Sequence, residues 1–179
     1  PRNRDRPIVL GCSHIFQSNG LGLRFNLSKV QEPIWRGKHP YLGRDDALRV
    51  GLQTRQLFLE SLVRLPSRVL ICKRTPFIKE ELDGLRAGLT GISSLDFLTI
   101  EYEPAWRCLA CITKDQQILP APFPVRRGTG VLLDDESFYL WLHGSVERIN
   151  SAGKTYYQGK TRIPAPVRVR RYGGSSTIE

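Results

Sequence analysis

The chain has 179 residues and carries 27 Lys and Arg against 17 Asp and Glu, a formal net charge of +10. This length suffices for the core of one ordinary domain, so we expect residues 1–179 to form a single domain. The charge favours an acidic partner such as nucleic acid, although a basic balance can also serve solubility alone. No apolar stretch approaches the roughly 20 residues of a membrane span, and the Arg-rich start lacks the apolar segment of a signal peptide. We therefore expect a cytoplasmic protein without a membrane partner.

Three strands are predicted before the first helix. Residues 8–16 form a continuous apolar run that suits a buried strand, and residues 21–27 alternate in polarity. Residues 32–36 can form a short third strand. The simplest pairing of three consecutive strands is an antiparallel meander.

Two helices and two strands then alternate. Residues 44–64 have helical periodicity, and residues 67–72 and 95–102 have strand character. Between these strands lies a predicted second helix, with Thr75 as its N-cap and Pro76 at its first position. The order strand, strand, strand, helix, strand, helix, strand is that of an RNase H-like α/β fold.

Beyond residue 104 the pattern predicts further strands and hairpins. These strands are expected at 107–112, 129–133, 138–143 and 167–171. The acidic turn 134–136 is a predicted hairpin connection between two of them.

The strand at 67–72 ends in Lys73 and Arg74. In open α/β sheets ligands meet the carboxyl ends of strands, so these two side chains are candidates for contact with a ligand. RNase H-like nucleases hold two metal ions with carboxylates, some of which come from the first strand and from the strand after the first helix. This chain has Ser13 near the first place and Arg74 at the second, and neither offers an acid. We therefore predict no catalytic residues and no metal site.

Other residue types that could support catalysis or metal binding have structural explanations. Seven carboxylates lie at predicted helix starts and in the hairpin turn, where the helix dipole and turn propensity favour them: Asp45, Asp46, Glu80, Glu81, Asp134, Asp135 and Glu136. A lone histidine in an apolar strand, such as His14, is more often a core residue than a base. Cys108 and Cys111 form a CxxC, but no second pair accompanies it, so we expect reduced core thiols and no zinc site.

The last quarter of the chain is basic. Between Glu147 and Glu179 there is no acidic residue. The cations there alternate with tyrosines, a pattern that suits a phosphate backbone with stacked sugars or bases. Strand alternation should place Arg168 and Arg170 on one face, opposite Val167 and Val169. The predicted nucleic-acid-binding residues are Lys73, Arg74, Lys160, Arg162, Arg168, Arg170 and Arg171. The alternative is a solvated basic edge strand that prevents aggregation.

Three segments, in order, resemble the PIWI domain of prokaryotic Argonautes. RVLICKRTPFIKEELDGL is similar to the strand that ends in His-Lys or His-Arg before a Glu-rich helix beginning Pro-Phe. FPVRRGTGVLLDDESFYLWLHGSV resembles the P-x-x-RGT strand with its following W/Y-T-x-G hairpin strand. YYQGKTRIPAPVRVRRYGG resembles the G-x-x-x-P-x-P-L segment. The short, catalytically inactive Argonautes are the most similar subgroup.

The resemblance implies an RNase H-like domain that holds a guide strand paired with its target. The first two metal-binding acids of active members map to Ser13 and Arg74, which implies lost nuclease activity. Such proteins bind a guide RNA, recognise complementary target DNA of an invader, and signal to a separate effector protein. No cofactor is implied, and Mg²⁺ is expected only as a counterion of the nucleic acid.

Two features depart from the family. The chain has no recognisable MID or PAZ domain, and the C-terminal helix of the family is missing after residue 173. We therefore expect a fragment or a split protein whose MID domain lies on another chain or in a missing segment. Two other functions stay open: an active metal-dependent RNase H-like nuclease with acids from other positions, and a scaffold that recruits a protein effector.

Overall fold

The structure, a computed structural model, describes residues 13–16, 21–25, 30–102, 105–147, 155–156 and 163–174. Within these ranges it is a mixed α/β structure with two helices and a five-stranded sheet. Among the described residues, no helix combines the length and the apolar character that crossing a membrane requires.

The elements follow each other along the chain with most strands in hairpins. In order they are β1 (Ser13–Phe16), β2 (Gly22–Phe25), β3 (Ile34–Arg36), β4 (His39–Tyr41), α1 (Arg44–Leu62), β5 (Arg68–Lys73), α2 (Lys79–Gly88), β6 (Ser94–Tyr102), β7 (Cys111–Lys114), β8 (Gln117–Pro120), β9 (Gly130–Asp134), β10 (Ser137–Leu140), β11 (Val146–Glu147), β12 (Thr155–Tyr156) and β13 (Val167–Gly173). They divide into two compact units, Pro1–Val69 with Phe77–Leu95, and Leu70–Pro76 with Asp96–Glu179.

The predicted three-stranded meander is wrong in its third member. β1 and β2 form an antiparallel pair. β3, however, pairs with β4 in a separate two-stranded sheet. Gly37, in the left-handed region with φ of 60°, provides the tight turn that brings β4 back along β3. Residues 8–12 of the first predicted strand lie outside the described residues.

Helix α1 begins one residue after its N-cap Gly43 and has Asp45 and Asp46 in its first turn, where the helix dipole favours acids. The carboxylate of Asp46 is buried and accepts the backbone N–H of Gln31 at 3.0 Å and of Glu32 at 2.9 Å. Arg49, one turn further along the helix, pairs with the same carboxylate. Asp46 therefore joins the start of the helix to the segment before β3.

Helix α2 begins three residues later than predicted. Its N-cap is Ile78 rather than Thr75, and Phe77 and Ile78 are buried in the extended segment that precedes it. Glu81 accounts for the difference, because one carboxylate oxygen accepts the N–H of Ile78 at 3.2 Å. The other oxygen accepts the N–H of Leu42 at 3.1 Å. This buried carboxylate satisfies a free N–H at the helix start and also anchors a segment 39 residues away.

The two helices pack closely because glycines occupy their contact. A Cβ added at Gly88 would lie 2.5 Å from the carbonyl oxygen of Leu48 and 2.8 Å from the Cα of Gly51. A Cβ added at Gly84 would lie 2.7 Å from the Cβ of Ala47 and would clash with the carbonyl oxygen of Arg44. The two helix backbones are therefore in direct contact at Gly84 and Gly88, and neither position has room for a larger side chain.

The substitution Gly88→Ala should lower the free energy of unfolding by about 1–3 kcal/mol, because the added methyl group overpacks this contact. Helix propensity alone would give the opposite sign, a gain of about 1 kcal/mol. Denaturant unfolding checks this, with Ala87→Ser on the exposed side of the same helix as a control. An unchanged or increased stability of Gly88→Ala would show that the helices do not approach this closely.

The five-stranded sheet has the order β5, β6, β13, β10, β9. β6, β13, β10 and β9 pair antiparallel in succession. β5 and β6 run in parallel, because the N–H of Ser94 at the start of β6 donates to the carbonyl of Ser67 just before β5. Helix α2 makes the connection between these two strands, as a parallel pair requires. The strand predictions for β5, β6, β9, β10 and β13 are confirmed close to their observed bounds.

The predicted strand at 107–112 is largely wrong. Only its last two residues lie in β7, which pairs with β8 across a turn. Asp115 and Gln116 occupy that turn with φ of 49° and 62°. Two consecutive left-handed residues are typical of the two-residue hairpin turns that suit the strand twist. The hairpin was missed because neither turn residue is a glycine.

Candidate nucleic-acid interface

The carboxyl ends of β5 and β6 bring a cation and an aromatic ring together. β5 ends at Lys73 and β6 ends at Tyr102, and the parallel strands end at the same edge of the sheet. The guanidinium carbon of Arg74 lies 5.3 Å from the centre of the Tyr102 ring, within the range of a cation–π contact. Tyr102 is 68% exposed, so its ring is open to solvent. This edge therefore presents a positive charge next to an accessible aromatic surface.

Strand β13 carries three of the predicted arginines. The prediction that Val167 and Val169 lie on one side is confirmed, since both are 4% exposed. Arg168, on the other side, is half-buried, and Arg170 is exposed. Arg170 lies over the Tyr172 ring, with its guanidinium carbon 5.5 Å from the ring centre.

Acidic groups surround Arg168. Its direct cross-strand neighbour on β6 is Glu101, and on β10 it is Tyr139. The hydroxyl of Ser137 donates to Asp134 at 2.7 Å, and the N–H of Glu136 donates to it at 2.9 Å. These two bonds, with a smaller contribution from Arg168, hold the pKa of Asp134 below its ordinary value. Asp134 therefore stays ionised at neutral pH and offsets part of the positive charge of β13.

An open cavity of about 360 Å³ lies between β13 and the turn that joins β9 to β10. Its lining residues are Asp134, Asp135, Glu136, Arg168 and Arg170. Three carboxylates therefore face two guanidinium groups in one depression. The predicted basic face of β13 is, in this part, a surface of mixed charge.

Arg171 has a different environment from the two arginines before it. Strand alternation puts it on the side of the buried valines. Its guanidinium group donates to the carboxylate of Asp96 at 2.9 Å, and the two side chains are 19% and 2% exposed. Removing one member of a buried pair leaves an uncompensated charge, so this arginine stabilises the sheet.

The remaining predicted residues are Ser13, Lys160 and Arg162. Ser13 lies in β1, opposite Phe25 of β2. Lys160 and Arg162 lie outside the described residues, so their placement stays a prediction. Within the described ranges there is no group of three or more His, Cys, Asp or Glu side chains arranged to hold a metal ion.

The expectation of core cysteines is wrong for two of the three described thiols. Cys72 and Cys111 are exposed, and Cys108 is half-buried. Cys72 is exposed because it lies on the face of β5 whose alternate residues, Arg68 and Leu70, are also exposed. Cys111 is exposed because every residue of β7 and β8 faces solvent. Cys12 lies outside the described residues.

Sequence reasoning missed Tyr102 and Asp96. Tyr102 could have been found, since it ends a strand that a helix crossover makes parallel to β5, and parallel strands end at the same edge. Asp96 gives a weaker signal, a single carboxylate in the otherwise apolar start of the LDFLTIEY strand. Nothing in the sequence pairs it with Arg171, which is 75 residues away.

The substitution Arg171→Ala should lower the free energy of unfolding by about 3–5 kcal/mol, because it leaves the buried carboxylate of Asp96 without its cation. Thermal or denaturant unfolding measures this loss. Arg170→Ala, at the exposed neighbouring position, is the control and should change stability by less than about 0.5 kcal/mol. Equal effects of the two substitutions would contradict a structural role for Arg171.

No protein-family model matches this chain, and no curated protein matches it. Its function therefore has to be inferred from its own residues and their arrangement.

Proposed function

We propose that this chain is a catalytically inactive, RNase H-like PIWI domain that binds a guide RNA paired with its target DNA. The duplex contacts the domain at the carboxyl ends of β5 and β6. The single observation that carries the proposal is the Arg74 guanidinium group stacked on the exposed Tyr102 ring. A separate effector protein receives the signal of target recognition, and a MID domain outside this chain binds the guide's 5′ end.

The geometry of this edge suits a phosphate backbone. A guanidinium group binds phosphate oxygens in a bidentate manner, and a ring beneath it limits the orientations that its plane can adopt. Lys73, the last residue of β5, adds a second cation next to Arg74 in the chain. The open face of Tyr102 can stack on a sugar or base. Such contacts read the shape of a duplex, while base pairing between guide and target supplies sequence specificity.

The residues at the same edge do not favour cleavage of nucleic acid. In an RNase H-like nuclease this strand end would carry a metal-binding acid, and here it carries Arg74. Glu101, one residue before the end of β6, lies opposite Arg168 in the antiparallel register. Arg74 repels a divalent metal ion, and Glu101 lies opposite a cation. Both features favour binding of nucleic acid over its hydrolysis.

The groups next to each arginine also indicate which predicted contacts should contribute most to affinity. Arg74 lies over an aromatic ring, whereas Arg168 and Arg170 share a cavity with three carboxylates. Neighbouring carboxylates compete with phosphate for the same guanidinium groups. We therefore expect Arg74 to contribute more to affinity than Arg168 and Arg170.

The substitutions Arg74→Ala and Tyr102→Ala should each weaken binding of a labelled 20-base-pair RNA–DNA heteroduplex by about tenfold or more, through loss of a phosphate contact and of stacking. Fluorescence anisotropy of the full chain at several salt concentrations measures this. Arg74→Ala should also reduce the slope of log affinity against log salt by about one unit. Tyr102→Ala should leave that slope nearly unchanged, because it removes no charge.

Lys114→Ala is the matched control, since Lys114 is an exposed cation on β7, which belongs to a separate two-stranded sheet. It should change affinity by less than the other two substitutions. Equal effects of Arg74→Ala and Lys114→Ala, with no effect of Tyr102→Ala, would mean that the heteroduplex responds only to net charge and would contradict the proposed site. Divalent-metal-dependent cleavage of the heteroduplex, abolished by a single Asp or Glu substitution, would overturn the inactive assignment and favour a nuclease.

A further inference from the structure

Strand β9 leaves one edge of the five-stranded sheet open. In the part of the chain that the structure describes, β9 pairs only with β10. Its apolar side chains are unusually exposed, with Val131 at 43%, Leu132 at 67% and Leu133 at 43%. Proteins usually protect such an edge with lysine, proline or a covering segment, because free backbone groups there can pair with another strand. Residues 130–133 carry no charge and no proline.

The backbone groups at the open edge can be identified. The N–H of Trp141 donates to the carbonyl of Thr129 at 2.9 Å, so this carbonyl points towards β10, while the N–H of Thr129 donates to the carbonyl of Arg126. Backbone groups alternate in direction along a strand, so Val131 also points towards β10. Gly130 and Leu132 then direct their N–H and C=O groups towards the open edge.

Charges of opposite sign flank this edge strand. Arg127 precedes β9 and Asp135 follows it, and both side chains are exposed. Asp135 also lines the cavity next to Arg168 and Arg170. A second β9 strand that paired in parallel would place like charges side by side. An antiparallel β9 strand would instead place each Arg127 near the Asp135 of the other copy.

We propose that the open edge of β9 binds the β9 strand of a second copy of this chain, antiparallel, to form a symmetric dimer with a continuous sheet. A two-fold axis perpendicular to the sheet requires one residue to lie opposite its own equivalent. With Val131 on the axis, Gly130 and Leu132 of each copy face each other and exchange backbone hydrogen bonds. The same register brings the turn that holds Arg127 next to the turn that holds Asp135 of the other copy, at both ends of the strand pair.

The self-complementary charge pattern selects a second copy over an unrelated extended peptide. A peptide of another protein would need an acidic group at one end and a basic group at the other, in the order that this strand already provides. The strand is short, so the buried area falls at the low end of specific interfaces. We therefore expect a weak dimer whose population depends on protein concentration.

Sedimentation velocity of the full chain over about a hundredfold concentration range tests this, after nuclease treatment so that bridging nucleic acid is removed. The weight-average sedimentation coefficient should rise from the monomer value to the dimer value. Leu132→Pro should raise the dimer dissociation constant by about tenfold or more, because it removes an outward N–H while sparing those that point to β10. Leu132→Thr, which retains the N–H, is the matched control and should weaken the dimer less.

A charge exchange gives a second, independent measurement. Arg127→Asp and Asp135→Arg should each weaken the dimer, and the double variant should restore it to near the original dissociation constant. Circular dichroism tests whether each variant is folded. If Leu132→Pro does not fold, the charge-exchange variants alone test the proposal. A chain that stays monomeric throughout, a dimer that requires nucleic acid, or a double variant that remains as weak as the singles would each overturn the proposal.

Discussion

The buried ion pair between Asp96 and Arg171 fixes the register of β13 against β6, and the orientation of the other arginines on β13 follows from it. A slip of one residue would turn every side chain of β13 to the opposite face. It would bury Arg168 and Arg170, expose the valines, and leave Asp96 without its cation. The cost of an unpaired buried charge, about 3–5 kcal/mol, therefore adds to hydrophobic burial in choosing one register. The pair with Asp96 therefore helps to determine where the neighbours of Arg171 point.

The net charge of +10 is a poor guide to local potential in this chain. Long-range attraction of a polyanion depends on the total, but a direct phosphate contact depends on groups within a few ångströms. At β13 the acidic turn after β9 offsets the two arginines. At the ends of β5 and β6 the described contact of Arg74 is with an aromatic ring, which carries no opposite charge. The two surfaces therefore differ in the groups that lie next to their arginines.

Local patterns predicted the elements whose determinants are local. Helix α1 and strands β6, β9, β10 and β13 follow from periodicity and from the acidic turn between β9 and β10. The start of α2 could not be predicted, because Glu81 fixes it through a bond to Leu42 that sequence spacing does not reveal. The sequence indicated one of the two residues of the candidate site. Arg74 can be identified from the sequence because it follows an apolar strand. A role for Tyr102 can be inferred only when β5 and β6 are known to be parallel neighbours.

The strand order of the sheet places the proposed nucleic-acid contact and the proposed dimer contact on opposite sides. β5 and β6 lie at one side and β9 forms the opposite edge, so pairing of two β9 strands leaves both Arg74 and Tyr102 sites open. From one β6 to the other there would be seven strand spacings, a lateral distance of about 34 Å. The two-fold axis points the two strand ends in opposite directions. A dimer would therefore present two separate contacts for nucleic acid instead of one continuous groove. Dimerisation would raise the local concentration of binding sites without enlarging the interface of either one.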